Sequence, residues 1–231
     1  MGRVKATGRG VFITGQEAAQ RIGLDLRGAR VAIQGFGNVG AHAAELFAAG
    51  GSLIVAVQDH TGSIVDPKGL DTTRLVTSMS GGVAGCEIGE PIGSEDFWDV
   101  PCDILIPAAL EGSVTAGRAE RTRAKLILEG ANGPTTPEAD LVLAARGVLV
   151  VPDVICNSGG VTVSYFEWVQ DFSSYFWGEQ EINLRLDRIL IDAFNHIWTT
   201  AEHHRVSLRI ATFAVACERI LVARAARGLY P

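Results

Sequence analysis

The sequence predicts an α/β protein: a doubly wound parallel sheet with helices on both faces and a helical extension at the C-terminal end. Three observations carry this. Short runs such as Leu53-Ile54-Val55-Ala56-Val57 are apolar at every position, which suits strands buried on both faces. Helical stretches alternate with these runs, as a parallel sheet requires. Residues 179–227 then hold two long helical patterns and no strand pattern.

The elements follow in order. The first ten residues, rich in glycine and basic side chains, are expected to form an arm. Thr14-Gly15-Gln16-Glu17 has the T-x-x-E form of a capping box and predicts a short helix to about Ile22. Val31-Ala32-Ile33 reads as a strand, Asn38 to Ala49 as an alanine-rich helix, and Leu53 to Val57 as the next strand. Three more strands are expected at Asp103-Ile104-Leu105-Ile106, Leu126-Ile127-Leu128 and Val148-Leu149-Val150-Val151. Between the last two, Thr136-Pro137-Glu138 reads as N-cap, first-turn proline and first-turn acid, and Gly147 as the residue that ends that helix. Glu179 to His203 and Ser207 to Arg227 are the C-terminal helices, the first ending in the dipole-favoured pair His203-His204. The run 161–170 is ambiguous, because its β-branched residues and alternation favour a strand by propensity. The expected organisation is one domain: arm and helix (1–29), doubly wound core (30–160) and C-terminal helices (161–231).

Composition narrows the function. The chain has 231 residues, 47% hydrophobic and 20% charged, with a net charge of −6. That is a globular composition, and its acidic balance argues against a nucleic-acid partner. No apolar run approaches the roughly 20 residues of a membrane helix, and no signal peptide is apparent, so a cytoplasmic protein is expected. The four cysteines show no CxxC spacing and the five histidines are scattered, so no metal site is expected. Ser158-Gly159-Gly160 lacks the G-x-S-x-G form of a nucleophile elbow.

The most informative segment is Gln34-Gly35-Phe36-Gly37-Asn38-Val39-Gly40, a G-x-G-x-x-G sequence between a strand and a helix. Gly35 permits the tight turn, Gly37 lets backbone approach a pyrophosphate, and Gly40 lets helix and strand pack closely. Free N–H groups at the helix N-terminus then receive the phosphates. Asp59 follows Gly40 by nineteen residues, where an acid bonds ribose hydroxyls. A carboxylate there repels a 2′-phosphate, and no arginine follows it, so NAD is favoured, with NADP possible. The motif makes the fold Rossmann-like. Further strand-end loops line the crevice of such a sheet: Pro107-Ala108-Ala109, Gly130-Ala131-Asn132-Gly133-Pro134-Thr135-Thr136 and Pro152 to Gly160. Asn132 has the donor and acceptor that a nicotinamide carboxamide needs, or marks a plain turn. Asn157 is a second cofactor candidate or an N-cap for the next segment.

These motifs, with Thr7-Gly8-Arg9-Gly10-Val11, Asn157-Ser158-Gly159-Gly160-Val161-Thr162-Val163-Ser164-Tyr165-Phe166-Glu167-Trp168 and the terminal Arg227-Gly228-Leu229-Tyr230-Pro231, resemble glutamate dehydrogenase over essentially the whole chain. The resemblance implies reversible oxidative deamination of L-glutamate to 2-oxoglutarate and ammonia with NAD or NADP. It implies that the run 161–170 begins a helix, and that one strand of a mostly parallel sheet is antiparallel. By position, Thr7, Gln34, Gly35, Phe36, Gly37, Asn38, Val39, Gly40, Asp59, Ala109, Asn132 and Asn157 match cofactor-binding residues. Val161 and Ser164 match the substrate side-chain pocket, with Ser164 on the γ-carboxylate, and Arg3 matches an arginine near the substrate.

One departure is large. The family carries an N-terminal domain with the catalytic lysine and aspartate, and no residue here matches those. The three lysines, Lys5, Lys68 and Lys125, lack a glycine-rich catalytic context. The chain is therefore expected to be the isolated nucleotide-binding domain with an added Met1, to bind dinucleotide, and to be inactive alone. The full-length enzyme is expected to be a homo-hexamer. Two rival readings are a non-catalytic NAD(H)-binding regulatory module and a domain of a related amino-acid dehydrogenase.

Overall fold

In the computed structural model the described residues are 3–78 and 82–228. Met1 and the terminal Leu229-Tyr230-Pro231 lie outside them. The chain opens with helix α1 (Arg3–Arg21), followed by β1 (Arg30–Gln34), α2 (Asn38–Ala49), β2 (Leu53–Gln58), β3 (Ser63–Val65) and α3 (Thr72–Ser78). Then come β4 (Glu90–Ile92), β5 (Ile104–Pro107), α4 (Ala116–Arg121), β6 (Leu126–Leu128), α5 (Pro137–Ala145) and β7 (Leu149–Val151). The chain ends in α6 (Asp153–Cys156), α7 (Gly159–Ser173), α8 (Glu179–His204) and α9 (Leu208–Arg227).

The seven strands lie in the order β4-β3-β2-β1-β5-β6-β7. All neighbours are parallel except that β3 runs against both β2 and β4. Every central strand is buried on two sides. Val31, Ile33, Ile104, Ile106, Leu126 and Leu128 pack with α1, α2 and α7 to α9. The intervening Ala32, Leu105 and Ile127 pack with Phe97, Trp98, Ala119, Ala139 and Leu143. This alternation is why the interiors of the central strands, such as Val31–Ile33, Ile54–Val57 and Ile104–Ile106, carry no polar residue. Chain order reverses at β1, so the carboxyl ends of β1 and β5 form the topological switch point, where ligands of such sheets bind.

The N-terminus corrects an expectation. Among the described residues there is no arm and no capping box; α1 is one 19-residue helix. Thr14 lies inside it, fully buried, and its hydroxyl donates to the carbonyls of Gly10 (2.9 Å) and Val11 (3.3 Å). Glycine weakens a helix interior by about 1 kcal/mol per residue, which is why these residues read as a loop. Packing outweighs that cost. A Cβ at Gly8 would meet His42 of α2 at 2.6 Å, and one at Gly15 would meet Leu128 and Phe47 at 2.7 and 2.8 Å. The glycines are the contact surface of a helix pressed onto its neighbours.

The run 161–170 is helical, within α7. Its hydroxyls bond back along the helix, Thr162 to Ser158 O (2.9 Å) and Ser164 to Gly160 O (3.0 Å). Val163, Phe166 and Gln170 face inward at helical spacing. Outward lie Val161, Tyr165, Trp168 and Phe172, with Tyr165–Trp168 and Trp168–Phe172 each stacked at 5.9 Å.

Two caps are as read from the sequence. Gly147 takes φ +70° after α5. The Thr136 Oγ1 accepts from the Ala139 N–H at 3.2 Å. Thr136→Ala is expected to cost about 1 kcal/mol, seen as a lower urea midpoint at an unchanged slope.

Candidate functional site

At the switch point the chain leaves β1 through Gly35, with φ +90° and its N–H bonded to Gln58 O at 2.7 Å. A Cβ here would lie 2.6 Å from the Ala108 backbone, and one at Gly40 would overlap the Gly35 carbonyl oxygen. Both glycines are therefore required by the chain itself. Gly37 is different. It is the N-cap of α2, no side chain caps the helix, and a Cβ added there would meet no atom within 4 Å. The space in front of Gly37 is open, and uncapped helix N–H groups beside open space suit a phosphate. Phe36 is fully buried, so only its backbone can take part in a site.

A cleft of about 540 Å³ lies at the carboxyl ends of the strands. Thr7 of α1 and Val39 of α2 line it, with Ala108, Ala109, Leu110 and Glu111 after β5. The loop Gly130-Ala131-Asn132 after β6, Asn157 after α6, and Gly160 and Val161 of α7 complete it. The structure thus gathers Thr7, Val39, Ala109, Asn132, Asn157 and Val161 from six separate segments. Leu110 and Glu111 were not singled out from the sequence; they follow a strand end already marked by Pro107-Ala108-Ala109, while Gly160 closes the loop read there as Pro152 to Gly160.

Asn157 is not an N-cap. Ser158 holds the position before α7, and the Asn157 amide Nδ2 donates to Asn132 Oδ1 at 2.7 Å. The pair keeps an Nδ2 on Asn132 and an Oδ1 on Asn157 with no partner among the described residues, one donor and one acceptor left over. That is the complement of a carboxamide. At the end of β1, Gln34 is nine-tenths buried and its Oε1 has no partner. Buried polar atoms without partners are rare and call for a reason. An open phosphate cradle, an orphan acceptor and an amide pair together fit a dinucleotide.

Asp59 follows β2 directly. Its Oδ1 accepts from Thr61 N (2.7 Å), Thr61 Oγ1 (2.5 Å) and Gly62 N (3.2 Å), and its Oδ2 from Val83 N (2.9 Å). Desolvation pushes the carboxyl pKa up, but these hydrogen bonds outweigh it and hold the group below the usual aspartate range. A carboxylate offers about four acceptor positions, so Oδ2 keeps room for a further donor.

On the other flank Arg3 pairs with Glu167 of α7 at 3.4 Å, one turn beyond Ser164. Ser164 is half-buried. Burial pushes the Cys102 thiol up to about 12 and raises that of Cys156 as well. Neither offers a thiolate nucleophile. Among the described residues no group of three or more His, Cys, Asp and Glu is placed to hold a metal, and no helix is long and apolar enough to cross a membrane.

The profile of the Glutamate/Leucine/Phenylalanine/Valine dehydrogenase family matches residues 1–228. The chain belongs to that family. It is 47% identical, over 233 residues, to the glutamate dehydrogenase of Thermotoga maritima, covering all of this chain and 56% of that protein. It is 40% identical to the cryptic catabolic NAD-specific glutamate dehydrogenase of Bacillus subtilis over 228 residues, 98% of this chain and 53% of that one. Among solved structures, the leucine-bound hetero-hexameric glutamate dehydrogenase of Thermus thermophilus superposes with a TM-score of 0.92 at 34% identity, covering 99% of this chain and 54% of that one. In sequence and fold this chain resembles one part of those glutamate dehydrogenases. It spans about half the length of the relatives it matches.

Proposed function

We propose that this chain is the dinucleotide-binding domain of a glutamate dehydrogenase and holds NAD(H) at the carboxyl ends of its strands. The observation that carries the reading is the Asn132–Asn157 pair in the cleft at the switch point. Gly37 and the first turn of α2 receive the phosphates. Asp59 receives the ribose hydroxyls and disfavours a 2′-phosphate; several of the relatives are named NAD-specific. Ala108 and Ala109 give a flat, small-residue wall for a ring, and the asparagine pair orients its carboxamide. When bound, the nicotinamide supplies the hydride acceptor for oxidation of an amino-acid α-carbon.

Val161, Ser164 and Arg3 form this domain's share of the substrate side, with L-glutamate and 2-oxoglutarate as the substrates. The deamination needs a buried lysine of lowered pKa. Lys5, Lys68 and Lys125 are all exposed, and none lines the cleft. The chain alone is therefore expected to bind cofactor without turnover. The exposed aromatic row of α7 joins the cleft through Val161 and suits a face that meets another domain or subunit of a hexamer.

The test is a fluorescence titration with NADH and NADPH, followed by an assay for glutamate-dependent NADH formation. The expected result is saturable binding, with NADH roughly tenfold tighter than NADPH, and no turnover. Binding of neither nucleotide overturns the reading. A preference for NADPH overturns the role of Asp59, and turnover by the pure chain overturns its assignment as an incomplete site.

A further inference from the structure

Glu129 directly follows β6, three residues before Asn132, and its side chain is fully buried. Burying a carboxylate is costly unless its acceptor positions are filled. Here they are filled from two directions. Arg209, in the first turn of α9, donates to Oε1 at 2.7 Å and to Oε2 at 3.0 Å. The backbone N–H of Asp153 donates to Oε2 at 2.8 Å. Asp153 opens α6, and its own carboxylate accepts the Gly133 N–H at 2.7 Å. Gly133 follows Asn132, and Asn157 closes α6, so the two ends of this network are the two ends of the asparagine pair. Arg209 also spans to Asp140 of α5, at 2.5 Å from Nε and 3.1 Å from Nη2. One guanidinium thus ties together β6, α5 and α9, three elements that diverge in sequence by up to 80 residues.

We propose that Arg209 is a positioning residue for the nicotinamide half of the cofactor site, acting through Glu129 and Asp153 on Asn132 and Asn157. The proposal rests on the cofactor reading above. A planar guanidinium is needed because it must face two carboxylates at once, in a fork that an ammonium cannot reproduce. Nothing in the network reaches Gly37 or Asp59, the adenosine and phosphate side. The role therefore separates the two halves of the ligand.

The experiment compares NADH with ADP-ribose, which lacks the nicotinamide. Dissociation constants are measured on the wild-type chain and on Arg209→Lys, which keeps the charge and loses the fork. Expected is a roughly tenfold weaker hold on NADH with ADP-ribose affinity unchanged, and a displaced Gly133 amide resonance before any ligand is added. Should Arg209→Lys not fold, the double variant Arg209→Met/Glu129→Gln, which leaves no fully buried charge unpaired because Asp140 is partly exposed, takes its place in the same comparison. Equal loss for both ligands means a merely structural ion pair and overturns the proposal, as does no loss for either. A wild-type chain that binds ADP-ribose and NADH equally overturns it as well, since the nicotinamide half then contributes nothing to be positioned. A wild-type chain that binds neither overturns the cofactor reading itself, and the positioning role with it.

Discussion

Gly37→Ala folds like the wild-type chain and loses NADH; Gly40→Ala loses the fold of the turn. The two positions are three residues apart in one motif, yet they are glycine for different reasons. At Gly40 a methyl group would overlap the carbonyl oxygen of Gly35 and press on Ile33 at 3.1 Å. Both are fixed by β1 and by the Gly35–Gln58 hydrogen bond, so the turn and α2 must move apart. Such overpacking typically costs about 1–3 kcal/mol. For a chain of this size that is roughly 2–12 °C of melting temperature. At Gly37 a methyl group meets nothing, and φ −80° with ψ −159° is open to any residue. Stiffening the unfolded chain favours alanine by about 0.4–1 kcal/mol, while the N-cap position disfavours it by a similar amount, so stability stays level. The methyl group would instead stand where a phosphate must approach. NADH affinity is expected to fall about 100-fold, or ~2.7 kcal/mol. Thermal melts and NADH titrations of both variants check this. A Gly37→Ala chain that binds NADH normally would show that the open space is not the phosphate site.

That contrast bears on what the sequence could show. The strands of the core were legible because burial on both faces leaves an apolar residue at each buried position, as in Ile54 to Val57. The glycine turn was legible because its spacing matches a backbone geometry. The elements that escaped were those whose reason lies elsewhere in the fold. β3 and β4 are three residues each and exist by pairing, Ile64 with Pro91 and Val57 with Ile64. Helix α1 escaped because local propensity counts Gly8, Gly10 and Gly15 against a helix, whereas a Cβ on Gly10 would press on the backbone of Gly159 at 3.0 Å. The decisive partner is 149 residues away and carries no local mark.

The candidate site divides the same way. Its residue types, an acid after the second strand and asparagines at strand ends, were legible one by one. Their combination was not. The Asn132–Asn157 bond joins two loops 25 residues apart, and it turns two ambiguous turn residues into one donor–acceptor edge. Arg209 carried no signal in the sequence, because an arginine in an exposed-looking first turn is ordinary until a buried carboxylate is found facing it. The helical state of 161–170 was reached by resemblance rather than by propensity, and the burial of Val163, Phe166 and Gln170 at helical spacing supplies its physical reason.

Asp59→Ser is expected to raise NADPH affinity relative to NADH about tenfold and to loosen the segment that begins at Val83. The two effects come from one carboxylate with two tasks. One oxygen organises the turn Asp59–Gly62, and the other holds the Val83 N–H, which anchors a buried valine and the 3₁₀ turn it opens. Serine offers one short oxygen and cannot serve both. Hydrogen bonds to a charged acceptor contribute about 1.5–3 kcal/mol each where solvent is excluded. Asp59 is half-buried, so a total loss of about 2 kcal/mol is expected at neutral pH. The pH dependence separates this from a packing defect. The folded-state pKa of Asp59 is lowered, so its stabilisation is fully present above the unfolded value of about 4. It is lost as pH falls through the folded value. The stability gap between wild type and Asp59→Ser should therefore be constant from pH 5 to 7 and narrow below about pH 4. Urea melts across that range, with amide exchange at Val83, measure it. A gap that stays constant into acid would mean that Asp59 acts by shape and not by charge. An unchanged NADPH-to-NADH ratio would remove it from cofactor choice while leaving its hold on Val83 intact.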